Sequence, residues 1–413
     1  MTSPYEAAED ILRGAKAALE AENMTIDAMR NRRINPDWIA EIDEQLTAVE
    51  PFTAMKGKRV SMGVGGFRTA DQMAGHWCVE QILKGAELET IVASAAADLA
   101  ANSIDLYEVV NLKGAKVEKV TEIAPGAWLY PNAEVPTNGN SEIMFTMPFM
   151  PGLRDQHWGL LQKYSVSPAM FEGERTPADH EALKKGDEDR TAFRRDLRWA
   201  MILACDHAIE MPGRYSVAVG DSILMTEGGY YYGLTDPFVP MVTDFDVPKV
   251  QCLLNLIHRM DGFDSFGIAV ERLSRSRTNY NDINSAIDLG MAAEVILMHG
   301  EPSKDAEIAN KLGTRAAWLM GTDLASRKAI KSKMSTLYSA RSDAVHGGRI
   351  TEKTAKKFDG KAMDEFVRGM LVKLLERGRF PDWNDLTLGG TGDPAATIDA
   401  TPLELPAPGT DQD

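Results

Sequence analysis

The spacing of hydrophobic residues predicts that the chain begins with two amphipathic helices. Between residues 5 and 22, apolar side chains recur at three-residue and four-residue intervals. The same spacing returns directly after Asn35-Pro36 and continues to Val49. This is the period of a helix with one buried face, and a proline marks the start of the second one. We therefore predict that residues 1–50 form N-terminal helices.

From residue 51 to residue 243 the pattern changes to short apolar runs separated by glycine, proline and asparagine. Three such runs are Val60 to Val64, Val109 to Leu112 and Ile143 to Phe149. Short apolar runs with turn-forming residues between them are typical of strands. We predict an α+β domain over 51–243, and a sensing or regulatory role is our hypothesis for it.

Two parts of this α+β domain have a more specific pattern. The stretch Glu172 to Arg190 is dense in charge and contains Pro177, which predicts an exposed connection before a helix over Phe193 to Ile209. The aromatic residues Tyr230 to Tyr232, with Trp158 and Phe171, are typical of a packed sheet, and a base-stacking surface is the alternative. The Gly63 to Gly66 segment lacks a complete phosphate-loop motif and predicts a turn.

After residue 243 the pattern becomes that of consecutive helices. Gly, Pro, Asn and Asp residues separate six candidates: 247–259, 262–277, 281–299, 305–320, 323–346 and 360–377. Short connections favour antiparallel packing, so residues 244–384 are predicted to form an all-α bundle. Residues 385–413, which hold few large apolar groups, are predicted to be a disordered tail. The predicted fold class is an α+β N-terminal region followed by an all-α helical bundle.

Composition narrows the class of protein further. Of the 413 residues, 44% are hydrophobic and 26% are charged, and no apolar run reaches the roughly 18 to 20 residues that span a bilayer. The first residues show no export signal. We therefore expect a cytoplasmic protein without a membrane partner. The segment Cys205-Asp-His207-Ala-Ile-Glu210 has no second ligand cluster at zinc spacing, so we predict no metal site.

The charge is distributed unevenly. The whole chain carries a net charge of −16, but residues 244–384 contain 22 Lys and Arg against 19 Asp and Glu, a net charge of +3. A polyanion such as RNA could therefore approach the helical half, while the remainder of the chain repels it.

The segment 323–346 carries the clearest candidate for chemistry. Ile330, Met334, Leu337, Arg341 and Val345 follow one another at helical spacing, which predicts that Arg341 lies on the apolar stripe. A guanidinium there needs a partner or a cleft. His346 follows, directly before Gly347-Gly348, which is a helix-stop signal.

The same Arg-x4-His spacing occurs a second time in the chain. Arg175 and His180 repeat it, but Pro177 lies between them and no apolar stripe precedes Arg175. We therefore interpret this second match as a coincidence.

The run from Leu337 to Gly347 resembles the signature of the HEPN superfamily, in which an Arg is followed after four to six residues by a His at the end of a long helix. Ala286 to Glu294 is similar to the family segment that places an acidic residue in a hydrophobic helix. Ile308 to Met320 resembles another family helix, and Phe380-Pro381-x-Trp383 is similar to the closing segment of the Apea-like branch. The resemblance covers about 140 residues.

The resemblance implies a metal-independent endoribonuclease that needs no cofactor and forms a homodimer through the helical domain. Arg341 would stabilise charge on the scissile phosphate, and His346 would transfer a proton as the ribose 2′-hydroxyl attacks. Supporting residues would be Tyr338, Ser342, Asp343 and Glu294, and the RNA-binding residues would be Arg327, Lys328, Lys331 and Arg349.

The family association implies a bacterial protein of anti-phage defence or stress response, in which a phage or stress trigger binds the N-terminal region. Two alternatives stay open. The HEPN domain could be a noncatalytic scaffold for dimerisation or nucleic-acid binding. In the other alternative the first 240 residues hold the main activity, and the helical half only dimerises them.

Overall fold

The computed structural model describes residues 4–26, 36–61, 66–137, 158–224, 231–232, 246–278, 281–300 and 307–390. Its α-helices are α1 (Glu6–Ala21), α2 (Pro36–Leu46), α3 (Ala74–Leu83), α4 (Leu88–Ala101), α5 (Pro177–Ala204), α6 (Val247–Ile257), α7 (Phe263–Thr278), α8 (Asp282–Leu297), α9 (Ile308–Met320), α10 (Leu324–Gly347), α11 (Glu352–Ala355), α12 (Gly360–Arg377) and α13 (Trp383–Thr387). The strands are β1 (Lys58–Ser61), β2 (Phe67–Thr69), β3 (Ile104–Leu112), β4 (Thr121–Ala124), β5 (Ala127–Tyr130), β6 (Trp158–Val166), β7 (Met170–Glu172), β8 (Gly213–Ala218) and β9 (Tyr231–Tyr232).

The predicted fold class is confirmed at the coarse level. An N-terminal α/β region with two antiparallel sheets precedes a mostly helical C-terminal half. Each of the six helical segments predicted after residue 243 contains a helix, and both N-terminal helices are present. The predicted strand over Ile143 to Phe149, the Gly63 to Gly65 turn, Tyr230 and tail residues 391–413 lie outside the described residues.

The chain divides into two compact units. The first comprises Met1–Asn111, Gly126–Asp189 and Gly213–Gly233, and the second comprises Leu112–Pro125, Arg190–Pro212 and Leu234–Asp413. Parts of the region between residues 51 and 243 therefore belong to each unit.

In the first unit, a small sheet has the strand order β2-β1-β7, and the strands of the larger, six-stranded sheet that belong to this unit have the order β5-β6-β3-β8-β9. The β1–β2, β1–β7, β3–β8, β5–β6 and β8–β9 pairings are antiparallel. Val109 of β3, for example, lies opposite Tyr215 of β8. The α1–α4 helices share one core with the small sheet, and Leu12, Leu46 and Val60 are fully buried in it. Burial of this apolar face explains the helical spacing at the start of the chain.

The prediction of an exposed connection over Glu172 to Arg190 was wrong, because α5 begins at Pro177. The Asp179 backbone N–H donates to Thr176 Oγ1 at 3.1 Å, so Thr176 caps the helix. Proline is favoured at the first helical position, where its missing N–H leaves no helical hydrogen bond unmade. Pro177 thus starts a helix between Arg175 and His180 and does not break one.

In the second unit, α8 is the central helix and packs against α7, α9, α10 and α12. Its residues Leu289, Ala292 and Ala293 are fully buried. Small and apolar side chains on several faces of α8 allow the four neighbouring helices to pack closely against it. No helix in the described part of the chain is long and apolar enough to cross a membrane.

Candidate functional site

The α10 helix carries most of the predicted site residues, and local sequence determines both of its ends. At its start, the Ser326 N–H donates to Asp323 Oδ1 at 2.8 Å and the Asp323 N–H donates to Ser326 Oγ at 3.1 Å, which is a capping box. At its end, Gly348 adopts a φ of 63°, the left-handed conformation that favours glycine. The predicted stop at the double glycine is confirmed, and His346 lies in the last turn.

Arg341 lies at the edge of the buried face of α10. Met334, Leu337, Ala340 and Ala344 form that face, and the Arg341 side chain is 24% exposed. Val345, which the sequence pattern placed on the stripe, is exposed. A helix has 3.6 residues per turn, so a row of residues at this spacing rotates gradually around the helix axis. In the last turn of α10, Ala344 therefore faces the core instead of Val345.

Glu294 of α8 holds the Arg341 guanidinium. Arg341 Nη2 lies 3.1 Å from Glu294 Oε2, and both side chains are partly exposed. Gly290 lies one turn before Glu294 on α8, and a Cβ atom built there would stand 2.6 Å from Cβ and Cγ of Arg341. The absence of a side chain at Gly290 therefore lets the Arg341 stem lie against the backbone of α8, so that its guanidinium reaches Glu294.

We predict that Gly290→Ala destabilises the helical unit. Alanine has the higher helix propensity by about 1 kcal/mol, but the added methyl overlaps the rigid start of the Arg341 side chain, and overpacking of this kind costs about 1–3 kcal/mol. Urea unfolding of the variant checks this. Gly347→Ala, at the end of α10, is the control, because nothing lies within 4 Å of a Cβ there. Equal stability of both variants would contradict the packing argument.

His346 is exposed, and the described residues show no hydrogen bond between it and Arg341. Five residues along a helix correspond to a rotation of about 140°. One copy of α10 therefore presents the two side chains in different directions, with His346 at the solvent-facing end of the helix.

Asp343 is bound by the segment that follows α10. Its Oδ2 accepts hydrogen bonds from the Thr351 N–H at 3.2 Å, from Thr351 Oγ1 at 2.7 Å and from Thr354 Oγ1 at 2.8 Å. These donors, the Thr351 hydroxyl first, lower the pKa of Asp343. The carboxylate thus anchors the turn after His346. Ser342 and Tyr338 are half-buried on either side of Arg341 in the sequence.

We predict that Asp343→Ala lowers the melting temperature in a pH-dependent way. Because the folded-state pKa is depressed, the contribution of Asp343 is present above its ordinary value of 3.8 and is lost as pH falls through the folded-state pKa. Thermal melts of wild type and variant across pH should therefore differ at neutral pH and converge in strong acid. Thr354→Val, which removes one donor, should show part of this difference; a gap that persists in acid would contradict the assignment.

The four predicted RNA-binding residues have different surroundings. The Arg327 guanidinium lies 3.6 Å from the centroid of the Trp318 ring, and Arg327 Nε donates to the Gly321 carbonyl at 3.2 Å. Lys331 Nζ donates to Asn310 Oδ1 at 2.9 Å. These two basic side chains therefore contact α9 or the turn after it, whereas Lys328 and Arg349 are exposed.

Cys205 and His207 lie beyond the end of α5, beside a cavity of about 1140 Å³ that Lys116, Lys119 and Arg368 also line. Burial raises the pKa of the Cys205 thiol to about 11, so the thiol is a poor nucleophile at neutral pH. Burial lowers the pKa of His207, whose Nδ1 lies 3.1 Å from Asp206 Oδ1. Within the described ranges, no three His, Cys, Asp or Glu side chains come together as a metal site.

Sequence reasoning missed a buried ion pair in this unit. Arg277 Nε donates to Asp364 Oδ2 at 2.7 Å and Arg277 Nη2 to Asp364 Oδ1 at 2.9 Å. The remaining Nη1 donates to the carbonyls of Ile202 and His207. Arg277 and Asp364 lie 87 residues apart, too far for helical periodicity to connect them. The sequence offered one signal, an arginine among the apolar positions of a predicted helix.

Comparisons with protein-family models, with curated proteins and with solved structures find no match to this chain.

Proposed function

We propose that this protein is a metal-independent endoribonuclease of the HEPN type, with Arg341 and His346 as its catalytic residues. The observation that carries the proposal is the end of α10. There, Glu294 holds Arg341 at the half-buried edge of the helix, and the double glycine leaves His346 exposed in the last turn. A fixed cation and an exposed imidazole are groups that phosphodiester chemistry can use, one to stabilise charge and the other to transfer a proton.

Each residue has a separate role in the proposed reaction. A guanidinium has five N–H donors, and Glu294 contacts one Nη atom of Arg341. The Nε atom of Arg341 is buried, and the Nη donors that remain can stabilise the charge that develops on the phosphate oxygens. His346 transfers a proton as the 2′-hydroxyl attacks the adjacent phosphorus and the 5′-oxygen leaves. Lys328 and Arg349, which are exposed, bind neighbouring phosphates.

The divergence of the two side chains in one chain supports a homodimer as the active form. We propose that two copies of the helical domain pair about a twofold axis, so that both His346 side chains face one cleft. The proposed setting, bacterial anti-phage defence or stress response with a trigger bound by the N-terminal region, derives from the HEPN resemblance alone.

A second candidate function is a noncatalytic HEPN scaffold for dimerisation or nucleic-acid binding. The Arg341–Glu294 ion pair favours it, because a carboxylate already engages the guanidinium that a phosphate would need. The contacts of Arg327 and Lys331 with the α9 region favour it as well, since these cations have partners within the bundle.

One assay separates the two candidates. Purified full-length protein is incubated with total RNA or tRNA in the presence of EDTA, beside Arg341→Ala and His346→Ala variants. Cleavage that survives EDTA and is lost in both variants supports the ribonuclease. Equal cleavage by all three proteins would show a contaminant or another site, and RNA binding without cleavage would favour the scaffold.

A further inference from the structure

The start of α10 carries three basic side chains whose charge has no acidic partner. The Arg327 guanidinium stacks on the Trp318 ring, Lys331 Nζ donates to Asn310 Oδ1 at 2.9 Å, and Lys328 is exposed. These contacts are with neutral groups, and within the described part of the chain none of the three cations forms an ion pair. Arg327, Lys328 and Lys331 together form the basic patch of α10.

The basic patch belongs to a strongly basic stretch of the chain. Residues 308–349 contain eight Lys and Arg against two Asp, a net charge of +6. Of the two acids, Asp323 accepts the Ser326 N–H at 2.8 Å and caps α10. The other, Asp343, is bound by hydroxyl groups of the segment after α10. Acids within this stretch therefore do not compensate the basic patch.

The chain leaves α13 beside this patch. A Cβ atom built on Gly389 would stand 3.6 Å from Cη2 of Trp318, and the Arg327 guanidinium lies 3.6 Å from the centroid of the same ring. One indole ring thus lies next to both the basic patch and the point from which residues 391–413 continue. Those 23 residues hold five Asp and Glu and no Lys or Arg, a net charge of −5; they are the acidic tail.

The acidic tail is long enough to cover the patch. An extended chain spans at most about 3.5 Å per residue, so Asp393 lies no more than about 14 Å from Gly389, and the whole tail spans up to about 80 Å. The helix α10 (Leu324–Gly347) is about 36 Å long. Tethering at so short a distance gives the tail an effective concentration of order 1 mM at the patch, which favours docking on its own chain over docking on a second copy.

Two exposed leucines adjoin the patch and the start of the tail. Leu388, which follows α13, is 86% exposed, and Leu324, the first residue of α10, is 69% exposed; these are the highest values among the large hydrophobic side chains that the structure describes. The acidic tail carries Ile398, Leu403 and Leu405. A segment with carboxylates and apolar side chains complements both the cations and the leucines, whereas phosphate groups complement the cations alone.

We propose that the acidic tail docks on the basic patch of its own chain and keeps RNA away from α10. The docking follows from the charges, the position of Gly389 and the length of the tail. Its regulatory consequence rests on the proposed function, in which Lys328 binds a phosphate of the RNA. A longer polyanion displaces the tail when it makes more contacts with the basic stretch, and salt weakens the docking by screening the charges.

Lysine acetylation tests the docking in the absence of RNA. Full-length protein is treated with a limiting amount of N-hydroxysuccinimidyl acetate at low salt, and mass spectrometry measures the rate at each lysine. In the tail variant Asp393→Asn/Asp399→Asn/Glu404→Gln, Lys328 should react about threefold faster than in wild type, as for a patch covered about two-thirds of the time. The difference should disappear in about 1 M salt, where the Debye length is about 3 Å. Lys185, an exposed lysine of α5, should react equally in both proteins.

The triple variant Glu20→Gln/Glu22→Gln/Glu41→Gln is the matched control, because it changes the net charge by the same amount at exposed acids of the first unit. Lys328 should react in this control as in wild type. Equal rates at Lys328 in wild type and the tail variant, or equal acceleration by both triple variants, would overturn the docking. Protection of Lys328 that grows with protein concentration would overturn docking within one chain, because it would come from the tail of a second copy.

RNA binding tests the regulatory part. A fluorescein-labelled oligouridylate is titrated by fluorescence anisotropy with His346→Ala, with and without the tail substitutions. Neutralising the tail should tighten binding about threefold, the same factor as for Lys328 acetylation. Protection of Lys328 without a change in RNA affinity would overturn the regulation and leave the docking standing. Unprotected Lys328 together with EDTA-resistant RNA cleavage by wild type would overturn the whole inference and leave the proposed ribonuclease intact.

Discussion

Replacement of His346 by alanine is expected to lower the rate of EDTA-resistant RNA cleavage by about 10²–10⁴-fold, the usual contribution of a general acid or base. Arg341→Ala is expected to lower it by about 10²–10³-fold, the loss seen when one charge-stabilising donor is removed. The cleavage rate of Arg341→Lys should lie between the rates of wild type and Arg341→Ala, because an ammonium group keeps the charge but lacks the paired donors of a guanidinium. Single-turnover rates on a defined RNA measure all three effects.

The chain supplies its own matched control for this experiment. His180 stands at the same spacing from Arg175 as His346 does from Arg341, and it is also exposed. His180→Ala should therefore leave the cleavage rate unchanged. Thermal melts confirm that the variants fold, which matters for Arg341 because its stem packs on Gly290. If His180→Ala and His346→Ala reduced the rate equally, the assignment of His346 would be wrong.

Asp364→Ala is expected to lower the free energy of unfolding of the helical unit by about 3–5 kcal/mol, the usual result of leaving a buried charge without its partner. The Arg277 side chain is only 4% exposed, and its guanidinium is bound by Asp364 on one edge. Without that carboxylate, the positive charge of Arg277 remains buried and has lost its acidic partner. Urea unfolding followed by circular dichroism measures the change.

Two further variants test whether burial of the charge is the cause. Glu376→Ala removes the partner of Lys373 from an exposed ion pair and should have little effect, since exposed pairs contribute little. The double variant Arg277→Met/Asp364→Leu should regain much of the stability that Asp364→Ala loses, because it removes both charges together. A double variant less stable than Asp364→Ala would contradict this explanation.

The helical half could be predicted well because its signals are local. Glycine, proline and capping residues lie at the ends of the helices, and α10 is capped by Asp323 at its start and by Gly348 at its end, as its sequence indicates. Pro177 misled the prediction for a local reason as well, since a proline favours the first helical turn as strongly as it disfavours the interior.

The contacts of the candidate site were only partly accessible from sequence. The resemblance to HEPN proteins drew attention to Glu294, but the close approach of Arg341 depends on Gly290, and helical periodicity does not show which glycine lies beneath an arginine of another helix. The role of Asp343 as an anchor depends on Thr351 and Thr354, which lie beyond the end of the helix.

The Arg277–Asp364 pair could not be predicted from the sequence for a physical reason. Its two residues are brought together by the packing of α7 against α12, which are distant parts of the chain. A pattern within a short window records only which face of an element is apolar. It holds no information about which other element covers that face or leaves it open.

The chemistry of the RNA ends tests the central claim most directly. Attack by a 2′-hydroxyl on the adjacent phosphate breaks the bond to the 5′-oxygen, so wild-type protein in EDTA should leave one fragment with a 2′,3′-cyclic phosphate and one with a 5′-hydroxyl. Mass spectrometry of the fragments identifies both ends. We predict these ends with wild type and no fragments with His346→Ala. Fragments with 5′-phosphates, or cyclic-phosphate fragments formed equally by His346→Ala, would contradict a ribonuclease site at the end of α10.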